Sequence, residues 1–344
     1  MSVPAAMRAA VYRRNDDVRI EEMPVPRPGP GEFLMRTVAS GICGSDVMEW
    51  YRVKRAPCVL GHEVAGEVAG LGPGVEGWKK GDRVFVSHHV PCNRCRRCLM
   101  GDHTACPTLH ATNFDPGGFA EFIRVPAINV RVGAFKLPDE VSDEEAVFIE
   151  PLGCVVRGQR AARIQPGMSV LVIGSGIAGL LHLQLAAALG AGKIFATDIH
   201  PYRMEAARRL GATVLPGGEG LPGALRAANE GRLADRVILC AGAPAAVEAS
   251  LRCAEEAGAV LLFAPPAPGQ DYRVPLHELW GQQVALVSTY GAAPLDLAQA
   301  IELIRARRVD VGGMVTHRLP LEAAQEGFRL VAEAGESIKV ILLP

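Results

Sequence analysis

The stretch from Ser169 to Pro201, SVLVIGSGIAGLLHLQLAAALGAGKIFATDIHP, decides the fold. Its opening run SVLVI is typical of a buried strand, and the glycine turn and the Leu- and Ala-rich segment that follow are typical of a helix start. The uncharged segment is also long enough to span a bilayer. Its clustered glycines, with His182 and Gln184 inside the apolar run, favour a strand, a turn and a helix over a membrane span.

The glycines Gly174, Gly176 and Gly179 match G-x-G-x-x-G, and Asp198 follows the last of them by nineteen residues. The match alone is weak in a chain with 38 glycines, but its place between a strand-like and a helix-like run makes it specific. Gly174 permits the tight turn, Gly176 lets backbone approach a pyrophosphate, and Gly179 lets helix and strand pack closely. Ile177 opens the helix, whose free N–H groups face the phosphates, so a dinucleotide site is predicted.

Two residues after the glycine loop bear on which dinucleotide binds. The Asp198 carboxylate is suited to accept hydrogen bonds from the adenosine ribose hydroxyls and to repel a 2′-phosphate, so we expect NAD, with NADP less favoured. Arg203 lies five residues later and tempers that preference. The alternative for Asp198 is a solvated carboxylate in a turn.

The spacing of apolar residues differs between the part of the chain that contains this stretch and the parts that flank it. Over residues 156–290 strand-like and helix-like runs alternate, which predicts an α/β domain with a doubly wound parallel sheet. Residues 1–155 consist of short apolar runs separated by Gly and Pro, typical of a β-rich, barrel-like domain. Residues 291–344 hold an amphipathic helix and a last apolar run, and we expect this tail to return to the first domain.

Composition excludes several classes of partner. The 344 residues carry a formal net charge of −1, so they offer no electrostatic footprint for nucleic acid or an anionic membrane surface. No apolar segment with a cleavage site follows the first residues, and a standard secretion signal is not predicted. The nine cysteines are odd in number and partly clustered, which favours reduced thiols and metal binding in the cytoplasm over disulfides.

Four cysteines lie together in VPCNRCRRCLMGDHTACP, residues 90–107, at Cys92, Cys95, Cys98 and Cys106. Four thiolates on one Zn²⁺ leave no position for water or substrate, so the spacing predicts a structural zinc site. An iron–sulfur cluster also takes four cysteines. We favour zinc because the nicotinamide already supplies a redox group. The last alternative is four unrelated reduced thiols.

A second set of metal-binding side chains is scattered along the chain. Cys43 in CGSD, His62 and Glu63 in GHEVAGE, and Glu150 in FIEPLG are the donor types of a catalytic zinc that keeps one position open. Taken alone, donors so far apart do not define a site.

The motifs CGSD, GHEVAGEV, GDRV, the four cysteines, GGFAEF, EPLG and the glycine loop, in this order, resemble the zinc-dependent medium-chain dehydrogenase/reductase family. The sorbitol (polyol) and L-threonine 3-dehydrogenase branches look most similar. The resemblance covers essentially the whole chain. It implies a GroES-like catalytic domain from residues 1–155 and 291–344, with a structural zinc lobe at about 88–110, a Rossmann NAD-binding domain at 156–290, and a homo-oligomer, tetramer or dimer.

The resemblance also implies a ligand set for the catalytic zinc. Cys43 and His62 match its first two ligands. Glu63 matches the third ligand of the sorbitol branch, whereas Glu150 stands where other branches place a ligand and is alternatively the residue that holds the zinc-bound water. Which of the two acids binds zinc stays open.

Further roles follow from the same resemblance. Asp46 matches the acid that orients the ligand histidine, which fixes the tautomer of that ring. Ser45 matches the hydroxyl that passes on the substrate proton, and Lys339 matches a basic residue that contacts the cofactor pyrophosphate. Relatives often carry a relay histidine where this chain has Met48, so Glu49, solvent or the pair His88–His89 ends the relay.

Together these residues predict zinc-dependent, NAD-linked oxidation of a secondary alcohol, namely a polyol, cyclitol or sugar alcohol, to a ketone. One alternative is L-threonine 3-dehydrogenase, for which the basic loop at Arg52, or Arg157, would have to bind the carboxylate. An alternative of another class is a catalytically silent protein that binds NAD and zinc. The segment VSTYGAAP lacks the arginine that the sorbitol branch has there, which weighs against a sorbitol-like pocket.

Overall fold

The structure is a computed structural model of the chain and describes residues 3–264 and 266–344. Its strands are β1 (Ala6–Arg14), β2 (Asp17–Pro24), β3 (Phe33–Gly41), β4 (Cys58–Val59), β5 (Glu63–Leu71), β6 (Arg83–Val86), β7 (Phe122–Val125), β8 (Ala134–Lys136), β9 (Ser169–Ile173), β10 (Lys193–Thr197), β11 (Thr213–Val214), β12 (Ala234–Leu239), β13 (Ala254–Leu262), β14 (Ala285–Ser288), β15 (Val315–Pro320) and β16 (Lys339–Leu343).

The helices in the same ranges are α1 (Glu49–Arg52), α2 (Arg96–Leu99), α3 (Pro107–Ala111), α4 (Ala127–Gly133), α5 (Asp143–Ala146), α6 (Ile149–Ala161), α7 (Ile177–Ala188), α8 (Pro201–Arg209), α9 (Leu221–Ala228), α10 (Pro244–Arg252), α11 (Leu276–Gly281), α12 (Pro294–Arg305) and α13 (Ala324–Glu333). Short 3-10 helices cover Gly44–Val47, Val53–Arg55, His103–Ala105, Gly312–Met314 and Leu321–Ala323.

The chain divides into two compact units, Met1–Gly153 with Gly291–Pro344, and Cys154–Tyr290. The first break lies two residues before the boundary expected from the sequence, and the second coincides with it. One unit is rich in antiparallel strands and the other holds a parallel sheet. The predicted fold class, a β-rich domain with a doubly wound α/β domain, is confirmed.

The first unit is built on a seven-stranded sheet in the order β15-β16-β3-β5-β6-β8, with β7 also paired to β3. A second sheet, β2-β1-β4, completes it. Between them lies a core of fully buried rings, in which Phe119 packs edge-on against Phe328 with centroids 5.8 Å apart. Burial of a phenylalanine of this kind contributes about 1.5–3 kcal/mol.

The strand register in this sheet determines which loops meet. Strand β3 pairs antiparallel with β5, so that Gly41 lies opposite Glu63, and β16 pairs with β3, so that Ile341 also lies opposite Gly41. The end of β3, the start of β5 and the start of β16 therefore come together at one edge, although they are far apart in sequence.

The second unit is a six-stranded parallel sheet in the order β11-β10-β9-β12-β13-β14. All five residues of β9 are buried, which explains why the SVLVI run contains no polar alternation. The strand order reverses direction beside β9, between β10 and β12, which is where open α/β sheets bind their ligands.

The apolar stretch after β9 forms α7, a helix of twelve residues. In the ranges that the structure covers, no helix combines the length and the hydropathy needed to cross a bilayer.

Candidate functional site

The four clustered cysteines converge around α2 and the start of α3. The sulfur–sulfur distances are 3.6 Å for Cys95–Cys98, 3.7 Å for Cys95–Cys106 and 3.6 Å for Cys106–Cys92. These distances fit the edges of a tetrahedron around Zn²⁺, which are roughly 3.8 Å for zinc–sulfur bonds of about 2.3 Å. All nine cysteines are free, as a metal site requires. We call this group the cysteine lobe; with four sulfur ligands it leaves no open position.

Backbone N–H groups of the cysteine lobe donate hydrogen bonds to its sulfur atoms. The Cys92 N–H donates to the Cys106 sulfur at 3.4 Å, and the Cys95 N–H donates to the Cys92 sulfur at 3.3 Å. Burial alone would raise the pKa of Cys106, but the N–H groups of Cys92, Leu109 and Thr108, with the Cys92 thiol, outweigh it and lower the pKa to about 5. The chain thus stabilises negative charge on the Cys106 sulfur, whereas burial raises the pKa of the Cys98 thiol.

A second set of donors meets at the edge of the seven-stranded sheet. Cys43 follows β3, His62 precedes β5 and Glu63 begins it, and one ligand atom from each lies within 4.8 Å of the other two. We call these three residues the open cluster. The antiparallel register of β3 and β5 brings them together. Three donors satisfy three of the four tetrahedral positions of zinc and leave one for water or substrate.

Local hydrogen bonds fix Cys43 and Asp46 together. Cys43 caps the 3-10 helix Gly44–Val47, where its sulfur accepts from the Ser45 N–H at 3.4 Å and its own N–H donates to Asp46 Oδ2 at 3.1 Å. The other carboxylate oxygen, Asp46 Oδ1, lies 3.4 Å from His62 Nδ1. Asp46 therefore lies beside the His62 ring, and its role in orienting a metal-binding histidine stays a prediction.

The charge state of Asp46 follows from its neighbours. Complete burial works to raise its pKa, but the charges of His62 and Arg52 and the N–H of Cys43 outweigh burial and lower it. Arg52 Nη2 lies 3.2 Å from Asp46 Oδ1. Asp46 is therefore a buried carboxylate held between an imidazole and a guanidinium.

Lys339 lies beside the open cluster, a position that its expected role does not include. Its ammonium group is fully buried, forms an ion pair with Glu63 Oε2 and approaches the Ile42 carbonyl oxygen at 3.4 Å. Gly41 makes this contact possible, because a Cβ there would lie 2.6 Å from Lys339 Cε. The structure thus gives Lys339 a partner in the first unit, and its contact with a pyrophosphate stays a prediction.

Glu63 retains one acceptor for a cation. Its Oε1 atom is buried and makes no hydrogen bond in the described structure, whereas Oε2 is paired with Lys339. An orphaned carboxylate oxygen beside Cys43 and His62 fits a metal ligand. Glu150 lies in the first turn of α6, buried, and is outside the group of three. Its role as ligand or water-holder stays a prediction.

The candidates for the end of the proton relay are placed differently. The Glu49 carboxylate is exposed and accepts from the Asn15 N–H at 3.0 Å. The His88 ring lies with its centroid 4.9 Å from that of His62 and 3.9 Å from that of His89. Burial lowers the pKa of His88 well below its usual value, and burial with nearby positive groups lowers that of His89 to about 4. The pair therefore consists of neutral imidazoles at neutral pH.

The contact between Arg52 and Ser45 is the feature that sequence reasoning missed. Arg52 Nη2 donates to Ser45 Oγ at 2.8 Å, and Nε donates to the Ser45 carbonyl oxygen at 2.9 Å. The sequence shows only a basic run, and no pattern in it distinguishes Arg52 from Lys54 or Arg55 as the residue that turns inward.

The glycine loop in the second unit has the backbone that its motif predicts. Gly174 has φ +95°, a left-handed value that favours glycine, and a Cβ on Gly179 would lie 1.9 Å from the Gly174 carbonyl oxygen. Gly176 caps α7, and Ile177 is the first residue of that helix. Among the described residues none crowds Gly176, where a Cβ would meet its nearest atom, Arg203 Nη1, at 3.7 Å.

Asp198 and Arg203 flank the same loop. Asp198 Oδ2 accepts from the Ser175 N–H at 2.6 Å, and Oδ1 accepts from the His200 N–H at 2.8 Å. The Arg203 Nε is buried and makes no hydrogen bond in the described structure. An orphaned guanidinium donor beside a free helix N-terminus fits a phosphate group.

Known proteins resemble this chain over nearly its full length. The model of the alcohol dehydrogenase GroES-like domain matches residues 29–139, and that of the zinc-binding dehydrogenase matches residues 178–306. The sorbitol dehydrogenase of Bacillus subtilis (strain 168) is 31% identical, covering 100% of this chain and 99% of its own. The sorbitol dehydrogenase of Gallus gallus is 33% identical, covering 97% and 95%.

Solved structures share the fold over nearly the full length. The alcohol dehydrogenase TADH from Thermus sp. ATN1 has a TM-score of 0.86 at 30% identity, covering 98% of this chain and 99% of its own. A candidate zinc-binding dehydrogenase from Sinorhizobium meliloti 1021, bound to NADP, has a TM-score of 0.88 at 25% identity, covering 99% and 100%. An alcohol dehydrogenase from Escherichia coli CFT073, bound to NADH, has the same scores and coverage.

These relatives confirm the predicted family, the enzyme class, and zinc with a nicotinamide dinucleotide as its cofactors. Because the two ligand-bound structures hold NADP and NADH respectively, the choice between NAD and NADP stays a prediction. The chain belongs to the zinc-dependent medium-chain dehydrogenase family and is a zinc-dependent alcohol or polyol dehydrogenase.

Proposed function

We propose that this chain oxidises a secondary alcohol of a neutral polyol, cyclitol or sugar alcohol to the ketone, with hydride transfer to NAD. The observation that carries the proposal is the open cluster: three donors within 4.8 Å, with the Ser45 hydroxyl two residues from the Cys43 ligand. A site with three protein ligands keeps a position for a substrate oxygen, which the cysteine lobe does not.

When bound, zinc supplies a Lewis acid that polarises the alcohol, and the nicotinamide accepts the hydride. The chain supplies the arrangement around them. Asp46 lies at Nδ1 of the His62 ring, which would leave Nε2 of that ring to bind the metal. Lys339 balances the charge of Glu63, and Ser45 Oγ accepts the proton that the alcohol releases.

From Ser45 the proton has two routes to solvent. Met48 offers no proton acceptor, and the Glu49 carboxylate is turned to the Asn15 backbone. The proton therefore passes either directly to water or by way of the neutral His88 and His89 imidazoles. The double variant His88→Phe and His89→Phe removes both imidazoles. A fall in kcat would indicate the histidine route, and an unchanged kcat would indicate direct transfer to water.

A neutral substrate is favoured over L-threonine by the engagement of Arg52. Its Nε and Nη2 atoms bond Ser45, and its charge is balanced by the buried Asp46. A substrate carboxylate at this guanidinium would have to compete with these contacts. This supports the polyol proposal.

NAD is proposed as the dinucleotide on the basis of Asp198. Its carboxylate stands at the end of β10, held by the Ser175 and His200 N–H groups, and negative charge at this point repels a 2′-phosphate. A higher kcat/KM with NAD than with NADP is expected, and the reverse order would contradict this part of the proposal.

Two further features of the proposal concern the setting of the enzyme. Nine free cysteines support residence in a reducing compartment, the cytoplasm. A homo-oligomer is supported by the edge strand β14 and by the exposed apolar side chains of Leu276, Trp280 and Leu286 near it. Sedimentation analysis of the purified chain tests the second point, since a monomer at micromolar concentration would contradict it.

The deciding experiment follows reduced-nicotinamide absorbance after the zinc-loaded enzyme is mixed with NAD and a panel of polyols, cyclitols and L-threonine. Turnover of one polyol or cyclitol class, absent from the Cys43→Ser variant, is the expected result. Turnover of L-threonine alone would replace the proposal with its alternative.

A further inference from the structure

Arg52 differs from the other cations of its loop. The side chain of Arg52 is 12% exposed, whereas Lys54 and Arg55, two and three residues later, are exposed. Its guanidinium carbon lies 4.7 Å from the centroid of the Tyr51 ring, which supports the flat face of the group. One basic residue of the run is therefore built into the first unit, and the others are in solvent.

The guanidinium connects two groups of the site at once. Nε and Nη2 bond the carbonyl oxygen and the Oγ of Ser45 at 2.9 Å and 2.8 Å, and Nη2 also lies 3.2 Å from Asp46 Oδ1. The same Asp46 oxygen is 3.4 Å from His62 Nδ1. The planar guanidinium of Arg52 thus contacts both Ser45 and Asp46.

We propose that Arg52 is a positioning residue of this dehydrogenase, which holds Ser45 for the reaction and Asp46 for orientation of the metal-binding His62. The part that concerns Ser45 rests on the proposed function; the part that concerns Asp46 does not. Lysine is a poor substitute, because a single ammonium group does not reproduce the divergent N–H bonds of the guanidinium.

The contact also determines how Ser45 is presented. A hydroxyl has one hydrogen and two acceptor positions, and Arg52 occupies one of the acceptor positions. An arginine accepts no proton, so the hydrogen of Ser45 points away from Arg52. Arg52 thereby selects one rotamer of the hydroxyl and leaves the other acceptor position for a substrate hydroxyl.

The test compares Arg52→Met and Arg52→Lys with Arg55→Met, a matched loss of a cation from the exposed part of the same loop. For Arg52→Met we expect kcat to fall by about 10²-fold with little change in KM, since misplacement of a reacting group affects the chemical step. Arg52→Lys recovers part of the loss, and Arg55→Met stays at the wild-type value.

The second readout needs no substrate. Competition with a chelator gives the affinity of the open cluster for Zn²⁺ and for Co²⁺, whose visible spectrum reports on its ligand geometry. Arg52→Met is expected to weaken the affinity about tenfold, as loss of an outer partner of a ligand does, and to change the Co²⁺ spectrum. If Arg52→Met does not fold, Arg52→Gln, which keeps a polar group, takes its place.

Double variants show through which residue Arg52 acts. With Ser45→Ala in the background, Arg52→Met should lower kcat no further, and with Asp46→Asn it should weaken zinc binding no further. The inference is overturned if Arg52→Met lowers kcat or zinc affinity as much in these backgrounds as in the wild type. It is also overturned if Arg52→Met and Arg55→Met give the same kcat and the same zinc affinity. If the wild type oxidises no alcohol, the proposed function fails, and the metal affinities alone decide whether Arg52 holds Asp46.

Discussion

The cysteine lobe and the open cluster are both built to hold a metal, yet they differ in how the chain makes them. The four lobe sulfurs come from fifteen consecutive positions, 92–106, and approach each other at 3.6–3.7 Å. The three donors of the open cluster come from two sides of a strand pair, and a third strand, β16, contributes the lysine that balances one of them.

The difference teaches where the charge of a metal site is balanced. In the lobe, backbone N–H groups of the loop itself stabilise the thiolates. In the open cluster, Asp46, Arg52 and Lys339 form a buried arrangement of full charges around the donors. The lobe is therefore a local structure, and the open cluster depends on the whole sheet.

The largest effect is expected from loss of a donor in the open cluster. Cys43→Ser should lower kcat/KM by about 10³-fold or more, because several kcal/mol of transition-state stabilisation depend on the metal. Zinc analysis should find one ion per chain, in the lobe. Two ions and wild-type kinetics would show that the open cluster is not the catalytic site.

The converse variant breaks the lobe. Cys106→Ser should remove the lobe zinc and expose residues 88–110 to proteolysis, because a structural site contributes folding energy to the segment it closes. Limited proteolysis with mass spectrometry of the fragments checks this. If residues 88–110 of Cys106→Ser stay resistant to proteolysis while kcat falls as far as in Cys43→Ser, the lobe is not the structural site of the two.

A smaller effect is expected on the zinc affinity of the open cluster when Lys339 is replaced. Lys339→Met removes the buried partner that orients the Glu63 carboxylate, so the open cluster should bind zinc about 10- to 100-fold more weakly, as loss of an outer partner of a ligand does. The lobe should keep its zinc unchanged. Chelator titration with Lys136→Met, which removes an exposed lysine, provides the matched control; equal losses from both sites would indicate general unfolding.

The smallest effect concerns the second unit. Asp198→Ala should reduce the preference for NAD over NADP by about tenfold, roughly 1.4 kcal/mol, as a negative charge near the 2′-position is lost. Fluorescence titration of each dinucleotide measures it. Both zinc contents should stay at the wild-type level, and an unchanged preference would assign the selectivity to another residue.

The order of motifs was sufficient to predict the fold class, the family and the enzyme class. The same residues that carry the motifs also set the geometry: Gly174 has the left-handed backbone its place requires, and Gly179 meets Gly174 at a distance that excludes a side chain. Such positions can be predicted from the sequence because their steric constraint is local, within one turn or one strand–helix contact.

Lys339 and Arg52 show where sequence reasoning was incomplete. The pairing of β16 with β3 places Lys339 beside Glu63, a contact that the sequence did not predict, and its contact with the cofactor stays a prediction. Arg52 was considered only as part of a basic loop that could meet a substrate carboxylate, and it bonds Ser45. The Lys339–Glu63 contact joins residues 276 positions apart, whereas Arg52 and Ser45 are 7 positions apart, and neither contact leaves a periodic trace in the sequence.

The sequence alone determined the fold class and the backbone of the glycine loop, because each depends on spacing within short segments. Only the tertiary structure decided which charges surround Cys43, His62 and Glu63. The physical reason is that a buried ion pair such as Glu63 with Lys339 requires two chain segments to exclude water together, and strand register, not sequence distance, determines which segments meet.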